Sequence, residues 1–200
     1  MASDGLSLTE FTKYLVNRGA LDLDFARGRI CGTCLNPRDN PSLSEEDIRY
    51  IVSFLYEELD KSGICYDVIA SIPTGGNPYA EGIARMASER GNQVSVLQVY
   101  DLGQDGFDDY LRQLKTITLG SRVIIVDDTL VFGRAARRVL DTVVRMFNIK
   151  GAIFAADLEA LGNQYLRSCG LPLISIFNQK LIGEVFADDF KKYKESNGWK

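Results

Sequence analysis

The stretch RVIIVDDTLVFGRAARRVL, residues 122–140, decides the fold that the sequence predicts. Residues 123–127 open with an unbroken β-branched run, which is typical of a strand buried on both faces of a parallel sheet. Two carboxylates, Asp127 and Asp128, stand where that strand is expected to end, and a helical pattern starts at Arg134. Ligands of open α/β sheets bind at the carboxyl ends of strands, where helix N-termini direct their N–H groups. The acidic pair is therefore the first candidate for a binding site.

The acidic pair permits two interpretations. Adjacent carboxylates accept hydrogen bonds from two neighbouring hydroxyls of a sugar, and the loop 129–132 with Gly133 behind it can hold a phosphate. Alternatively, Asp128 or Thr129 caps the helix that follows, as acidic and hydroxyl side chains often do. The pair by itself favours neither interpretation.

Strand and helix patterns alternate from Asp67 onward at the spacing of βαβ units, which predicts an α/β fold on one parallel sheet. The 200 residues and their ordinary apolar fraction fit a single domain. The predicted strands are 67–72, 93–100, 122–127, 151–156 and 171–177, and the predicted helices are 6–18, 44–62, 79–90, 134–147 and 161–169.

The two ends of the chain fall outside this alternation. Residues 1–43 include a strand pattern and a polar, loop-rich stretch that suggests a hairpin, so we expect them to form a hood beside an α/β core at 44–180. Ser44 and Asp47 resemble a capping box that opens the first helix of that core. Residues 181–200 form the expected C-terminal tail; its part DDFKKYKESNGWK, residues 188–200, is polar with mixed charge, and we expect a surface helix there. The segment 101–119 is acidic and rich in glycine, which suggests a mobile loop with a helical turn.

A second candidate anion site lies in the turn PTGGNP, residues 73–78. Gly75 and Gly76 permit backbone conformations that direct successive N–H groups at one point, and the helix behind them adds the positive end of its dipole. A tight turn without a ligand is the alternative, since proline and glycine are common there. Together with the acidic pair, the turn predicts one elongated site for a ligand with phosphates at both ends and a sugar diol between them.

Composition excludes several classes of function. The sequence has no histidine, which excludes Ser-His-Asp and Cys-His catalysis and histidine-ligated zinc. The net charge of −4 argues against a nucleic-acid partner. No apolar run reaches the roughly 20 residues that span a bilayer, and the start MASDGLSLTE does not resemble a secretory signal. We expect a cytoplasmic protein without membrane contact.

Four cysteines are too few for a disulfide scaffold in a chain of this length. Cys31 and Cys34 form a CxxC pattern, which in other proteins is half of a zinc site or a redox pair. A second CxxC is missing from the sequence, and the pair falls in the expected hairpin and not at a helix N-terminus. These observations favour two reduced thiols.

Three segments resemble the orotate phosphoribosyltransferases of the type I phosphoribosyltransferase family. The segment VIASIPTGGNPYAEGIA resembles the diphosphate loop of that family, and VIIVDDTLVFG resembles its ribose-phosphate motif. Gly28 and Arg29, followed by Arg38, match a Gly-Arg…Arg segment that helps to shape the hood over the base. The resemblance covers nearly the whole chain and implies a Rossmann-like parallel-sheet core with a small N-terminal hood.

The resemblance also implies an activity in pyrimidine nucleotide metabolism. The family transfers ribose 5-phosphate from phosphoribosyl diphosphate to a nucleobase, giving a nucleoside monophosphate and diphosphate, with Mg²⁺ held by substrate oxygens and with no direct protein ligand. Its members are commonly homodimers. The implied site residues are Asp127 and Asp128 for the ribose hydroxyls; Thr129, Leu130, Val131, Phe132, Gly133, Arg134 and Ala135 for the 5-phosphate; Pro73, Thr74, Gly75 and Gly76 for the diphosphate; and Arg29 and Arg38 near the base.

The sequence also departs from the family pattern. Val131, Phe132 and Ala135 stand where the family has hydroxyl side chains, and acidic residues replace the cations of the mobile loop. Two interpretations therefore compete. The protein is a divergent phosphoribosyltransferase, or it is a catalytically degenerate relative that binds a nucleotide or a protein partner. An unrelated nucleotide-binding α/β domain is a third interpretation, and the absence of P-loop and GxGxxG motifs counts against it.

Overall fold

A computed structural model describes residues 6–31, 35–100 and 104–198. These residues form a five-stranded parallel sheet between two layers of helices, with a two-stranded hairpin near the N-terminus. In chain order the elements are α1 (Leu8–Asn17), β1 (Leu23–Asp24), β2 (Arg29–Ile30), α2 (Glu45–Ser62), β3 (Val68–Ser71), α3 (Asn77–Glu89), β4 (Ser95–Gln98), α4 (Phe107–Leu114), β5 (Arg122–Leu130), α5 (Arg134–Val143), β6 (Asn148–Asp157), α6 (Leu161–Ser168), β7 (Leu173–Phe177) and α7 (Gln179–Ser196).

The order of the strands creates a crevice at one edge of the sheet. The order is β4-β3-β5-β6-β7, so the chain leaves β3 to one side, for β4, and leaves β5 to the other side, for β6. Crossovers that leave in opposite directions open a gap at the carboxyl ends of the two central strands, and ligands of open α/β folds bind there. The topology therefore places the candidate site between β3 and β5.

Helices cover both faces of the sheet, as the β-branched run of β5 predicts. Val123, Ile124, Ile125 and Val126 are all fully buried. Side chains of alternate strand residues enter two separate cores, one under each helix layer. The first core contains residues of α1, α2, α3 and α7, and the second contains residues of α4, α5 and α6. The predicted α/β fold with a parallel sheet is confirmed.

Strand β5 is longer than the sequence predicts. It was expected to end at Asp127, but it continues to Leu130 because β6 continues beside it, with Thr129 paired to Ala156 and Leu130 to Asp157. The prediction of a loop at 129–132 is therefore wrong for residues 129 and 130, which belong to the strand. The acidic pair lies inside the strand, and the connection to α5 begins only at Val131.

The predicted N-terminal hairpin is present, because β1 pairs antiparallel with β2. Its neighbour is α7, whose Phe190 ring packs against Phe25 with 5.4 Å between the ring centroids. Three side chains of α7 are buried: Ile182, Phe186 and Phe190. The expected surface helix is present, but its polar character is only part of the description, since its apolar side completes the first core together with residues of the N-terminal segment.

The segment that follows β4 also differs from the expected mobile loop. Residues 107–114 form the helix α4, whose Tyr110 is buried in the second core. The Gln113 side chain accepts a hydrogen bond of 2.9 Å from the Gln98 backbone N–H, which ties α4 to the edge strand β4. Asp108 and Asp109 remain on the exposed side, and residues 101–103 lie outside the described residues. Among the described helices, none has the length and apolarity to cross a membrane.

Replacing Phe190 by alanine should lower the free energy of unfolding by about 3 kcal/mol, since a buried aromatic ring is lost and a cavity is left between α7 and the hairpin. Urea unfolding monitored by circular dichroism measures this change. The exposed neighbour Lys192 provides the control, because Lys192→Ala should change the unfolding free energy by less than about 0.5 kcal/mol. Equal effects of the two substitutions would show that α7 is a peripheral tail after all.

Candidate functional site

The turn between β3 and α3 lies directly against the acidic end of β5. A Cβ atom added to Gly75 would stand 2.7 Å from Cγ and 2.7 Å from Oδ1 of Asp128, so only glycine fits there. A Cβ atom on Gly76 would stand 2.4 Å from the carbonyl oxygen of Val126. The peptide bond between Pro73 and Thr74 is cis. The predicted convergence of the turn 73–78 and the acidic pair is therefore present in the fold.

The carboxylates of the acidic pair are largely enclosed. Asp127 is 8% exposed, and its Oδ1 accepts a hydrogen bond of 2.9 Å from the backbone N–H of Asp128. Asp128 Oδ1 accepts one of 2.7 Å from the backbone N–H of Thr129. These contacts leave capacity for further donors, since each carboxylate offers about four lone-pair positions.

Burial governs the protonation of both groups. It raises the pKa of Asp127 well above its usual range, and the neighbouring charge of Asp128 raises that pKa further. Burial also raises the pKa of Asp128, although a hydrogen bond with Asp127 and backbone N–H donors oppose the rise, and the charge of Asp39 adds to it. The site therefore favours a ligand that brings hydrogen-bond donors or positive charge to the two carboxylates.

Two helices begin at this edge of the sheet without a side-chain cap among the described residues. Gly133 precedes α5 with a φ of 69°, and no side chain among the described residues caps the helix. The first amide to bond back is that of Arg137, to the Gly133 carbonyl, so the amides of Arg134–Ala136 precede the intrahelical series. Gly76 precedes α3, likewise without a side-chain cap. The alternative that Asp128 or Thr129 caps α5 is therefore wrong, and both helix ends are suited to anions.

The connection between β5 and α5 carries few polar side chains. Leu130 is buried, Val131 and Ala135 are half-buried, and Phe132 is exposed. The Arg134 guanidinium lies 5.8 Å from the centre of the Phe132 ring. The Arg137 side chain does not turn toward this connection. It lies beside Asp141 and over the ring of Tyr165.

The N-terminal segment approaches both loops. The Leu35 backbone N–H donates to Thr129 Oγ1 at 3.4 Å, and Asn36 Nδ2 donates to Thr74 Oγ1 at 3.4 Å. The Tyr79 hydroxyl of α3 fixes this segment through a 2.6 Å hydrogen bond to the Leu35 carbonyl. The sequence analysis missed Asn36, which is buried at the site. Its position beside Pro37 is a weak signal, since Asn-Pro pairs also occur in ordinary turns.

The arginines expected near the base are less closely placed. The Arg38 backbone N–H donates to Asn36 Oδ1 at 3.1 Å, while its side chain is exposed. Arg29 is exposed on β2, in the hairpin. Burial, followed by the charges of Asp22 and Asp24, raises the pKa of the Cys31 thiol, which disfavours a reactive thiolate. Cys34 lies outside the described residues, and within them no group of three acidic or cysteine side chains is arranged to hold a metal ion.

Solved structures share this fold, whereas no protein-family model and no curated protein sequence matches the chain. Orotate phosphoribosyltransferase from Francisella tularensis superposes with a TM-score of 0.65 at 16% identity, over 93% of this chain and 98% of that one. The enzyme from Aeropyrum pernix gives 0.59 at 19% identity, over 88% and 98%. The Mycobacterium tuberculosis enzyme in complex with 5-phospho-α-D-ribosyl 1-diphosphate gives 0.60 at 17% identity, over 90% and 94%. The fold is thus that of the orotate phosphoribosyltransferases, as the sequence resemblance predicted.

Replacing Asp127 by asparagine should raise the free energy of unfolding at pH 7 by about 0.5–2 kcal/mol, the usual size of a single stabilising change. The raised pKa of Asp127 means that its contribution to stability is complete below the unfolded-state pKa and is lost as the pH rises through the folded-state value. Asparagine does not titrate and still accepts from the Asp128 N–H. Urea unfolding at pH 4 and pH 7 should therefore show a gain that grows with pH.

The exposed Asp105 serves as the control for this pH dependence, because Asp105→Asn removes a carboxylate that is not buried. A destabilised Asp127→Asn protein at pH 7, or a gain that is equal at both pH values, would contradict the assignment of a buried, strained carboxylate.

Proposed function

We propose that this protein transfers ribose 5-phosphate from phosphoribosyl diphosphate to a nucleobase and releases diphosphate, with an orotate-like pyrimidine as the favoured acceptor. The observation that carries this proposal is the contact of Asp128 with Gly75, which brings a buried acidic pair and two uncapped helix N-termini to one crevice. A diol between two phosphate groups matches that arrangement, and one of the structural neighbours is a complex with this donor.

Each end of the donor has a partner of suitable chemistry. Asp127 and Asp128 accept hydrogen bonds from the 2- and 3-hydroxyls of the ribose, and the amides that open α5 bind the 5-phosphate. Thr74, Gly75 and Gly76, with the N-terminus of α3, bind the diphosphate. In this pose the sugar lies across the carboxyl ends of β3 and β5.

In the reaction, the bond between C1 of the ribose and the diphosphate oxygen breaks, and the diphosphate leaves with the electron pair. A ring nitrogen of the base forms the new bond to C1, and its proton passes to the departing diphosphate. Positive charge develops on the sugar in the transition state, so the nearby carboxylates stabilise it electrostatically without acting as acid or base. Holding the donor and the base in line supplies much of the remaining acceleration.

Mg²⁺ fits this site as an ion that the substrate brings. The buried acidic pair supplies negative charge beside the diphosphate turn, while the described residues offer no protein cluster that would hold the ion alone. When bound, Mg²⁺ neutralises charge on the departing diphosphate. We place the base under the segment that contains Asn36 and Arg38, because that segment hydrogen-bonds to Thr74 beside the diphosphate turn. We also propose a homodimer, which only the family resemblance supports.

A catalytically degenerate relative that binds a nucleotide or a protein partner is the second candidate. The observation in its favour is α4, which is tied to β4 by the hydrogen bond between Gln98 and Gln113 and exposes Asp108 and Asp109. An acidic helix does not attract a diphosphate as a cationic loop would. Binding of a nucleoside monophosphate without turnover of any base distinguishes this candidate from the transferase.

Phosphoribosyl diphosphate at 100 times its dissociation constant, with Mg²⁺, should raise the melting temperature by about 5 °C or more, because binding adds about 2.7 kcal/mol to the native state. Diphosphate release should follow when a base is added from a panel of orotate, uracil, hypoxanthine and adenine. Asp128→Asn should weaken donor binding roughly tenfold or more, since a hydrogen bond to a charged acceptor is lost. A wild-type protein that gives neither the thermal shift nor diphosphate release would exclude the transferase.

Arg134 should compensate for the hydroxyl groups that the phosphate loop lacks. Its guanidinium stays beside the loop over Phe132, within reach of a group bound at the N-terminus of α5. We expect Arg134→Gln to raise the dissociation constant of the donor about tenfold, as the loss of one charged hydrogen bond requires. Arg145→Gln, in the turn after α5, is the matched control and should change it less than twofold. Calorimetric titration measures both, and equal effects would remove Arg134 from the site.

A further inference from the structure

The turn between β6 and α6 packs on the connection between β5 and α5. The Leu158 N–H donates to the Leu130 carbonyl, and the Gly162 N–H donates to the Val131 carbonyl, each at 3.0 Å. A Cβ atom on Gly162 would stand 2.7 Å from the backbone nitrogen of Gly133 and 2.9 Å from the Val131 oxygen. The two loops thus touch through backbone atoms, with glycine on both sides of the contact.

The β6–α6 turn is itself held by one buried carboxylate. Asp157, the last residue of β6, is 3% exposed. Its Oδ1 accepts a 2.8 Å hydrogen bond from the Glu159 N–H, and its Oδ2 accepts one from Asn163 Nδ2. Asn163 Oδ1 in turn accepts from Arg167 Nε at 2.6 Å, which fixes the orientation of the Asn163 amide.

We infer that Asp157 is a positioning residue for the phosphate-binding loop and sets the affinity for the donor without touching it. This inference rests on the proposed function. The link runs from Asp157 to Asn163 in the first turn of α6, to the neighbouring Gly162, and through the Gly162–Val131 and Gly162–Gly133 contacts to the N-terminus of α5.

The missing hydroxyls make this positioning decisive. Val131, Phe132 and Ala135 contribute no side-chain donor, so the backbone amides at the start of α5 must converge on the phosphate. Their convergence depends on the path of the backbone at Gly133, whose φ is 69°. A displacement of about 1 Å at such a site can cost up to a hundredfold. We therefore infer that the packing of the β6–α6 turn holds the backbone amides in position for the phosphate, where hydroxyl side chains would otherwise bind it directly.

An asparagine in place of Asp157 cannot be accommodated without a loss. Its amide group would face the Asn163 amide group, so two donors would meet. Rotation of the Asn163 side chain would repair that pair but would turn its amide toward Arg167, which is also a donor. The exchange Asp157→Asn with Asn163→Asp restores every partner, because the carboxylate at position 163 then accepts from both the introduced amide at position 157 and the Arg167 guanidinium.

The test measures donor binding, steady-state rates and amide exchange for the full chain of each variant, with phosphoribosyl diphosphate and Mg²⁺ as the probe. Asp157→Asn should weaken donor binding about tenfold, leave kcat at saturating donor within about twofold, and leave KM for the base unchanged. The Asp157→Asn, Asn163→Asp double variant should recover donor binding to within about threefold of the wild type. Asp141→Asn, on the exposed side of α5, is the control and should bind as the wild type does.

A purely structural role for Asp157 would lower the melting temperature but leave donor binding unchanged, and that result overturns the inference. Failure of the double variant to recover binding overturns it as well. The exchange rate of the Gly162 amide gives an answer that is independent of any ligand. It should rise in Asp157→Asn, with the amides of residues 123–126 unchanged, and return in the double variant.

These outcomes separate the two proposals. If the wild-type protein does not bind the donor, the proposed transferase function is excluded. The exchange rate of the Gly162 amide still decides in that case whether Asp157 positions the loop. Unchanged Gly162 exchange in Asp157→Asn removes the positioning role even where the donor binds and reacts.

Discussion

The close approach of the Gly75–Gly76 turn to strand β5 is the constraint on which the rest of the site depends. Neighbouring parallel strands lie only about 4.8 Å apart, and the turn that leaves β3 runs close beside the end of β5 before the chain goes on to β4. With Val126 O and Asp128 at the positions a Cβ atom would take, the turn can pass only as glycine. That passage brings the amides of one crossover and the carboxylates of the other into one crevice, and opposite crossover directions keep the crevice open.

This arrangement opposes the stability of the domain. Two adjacent carboxylates that follow the buried run of β5 lose hydration and repel one another, and no lysine or arginine among the described residues forms an ion pair with Asp127. The strand tolerates them because its β-branched residues are packed from both faces by two independent cores. An acidic pair with raised pKa values on a rigid support is the pattern expected where stability is given up for binding.

Backbone groups provide most of the polar surface that faces the crevice. The amides that open α3 and α5 and the glycine contacts between loops belong to the main chain and are fixed by the fold. A site of this kind tolerates side-chain change better than one built from hydroxyls and charges. The structural neighbours match nearly all of this chain at 16–19% identity, which is consistent with such tolerance. In this chain Val131, Phe132 and Ala135 offer no side-chain hydrogen-bond donor at the start of α5, so the main chain supplies the donors there.

The sequence by itself determined the parallel sheet, its central strand, the capping box of α2 and the residues of both candidate loops, because these follow from periodicity and from the chemistry of neighbouring residues. Tertiary structure alone decided the rest. Strand β5 extends to Leu130 because β6 lies beside it. The apolar side of α7 is buried because the N-terminal hairpin packs on it, although charged residues surround these apolar residues in the sequence. Asn36 reaches Thr74, and the turn after Asp157 reaches the connection between β5 and α5, only through contacts between segments far apart in the chain. Local sequence patterns do not predict such contacts, because the contacts depend on which surfaces the completed fold brings together.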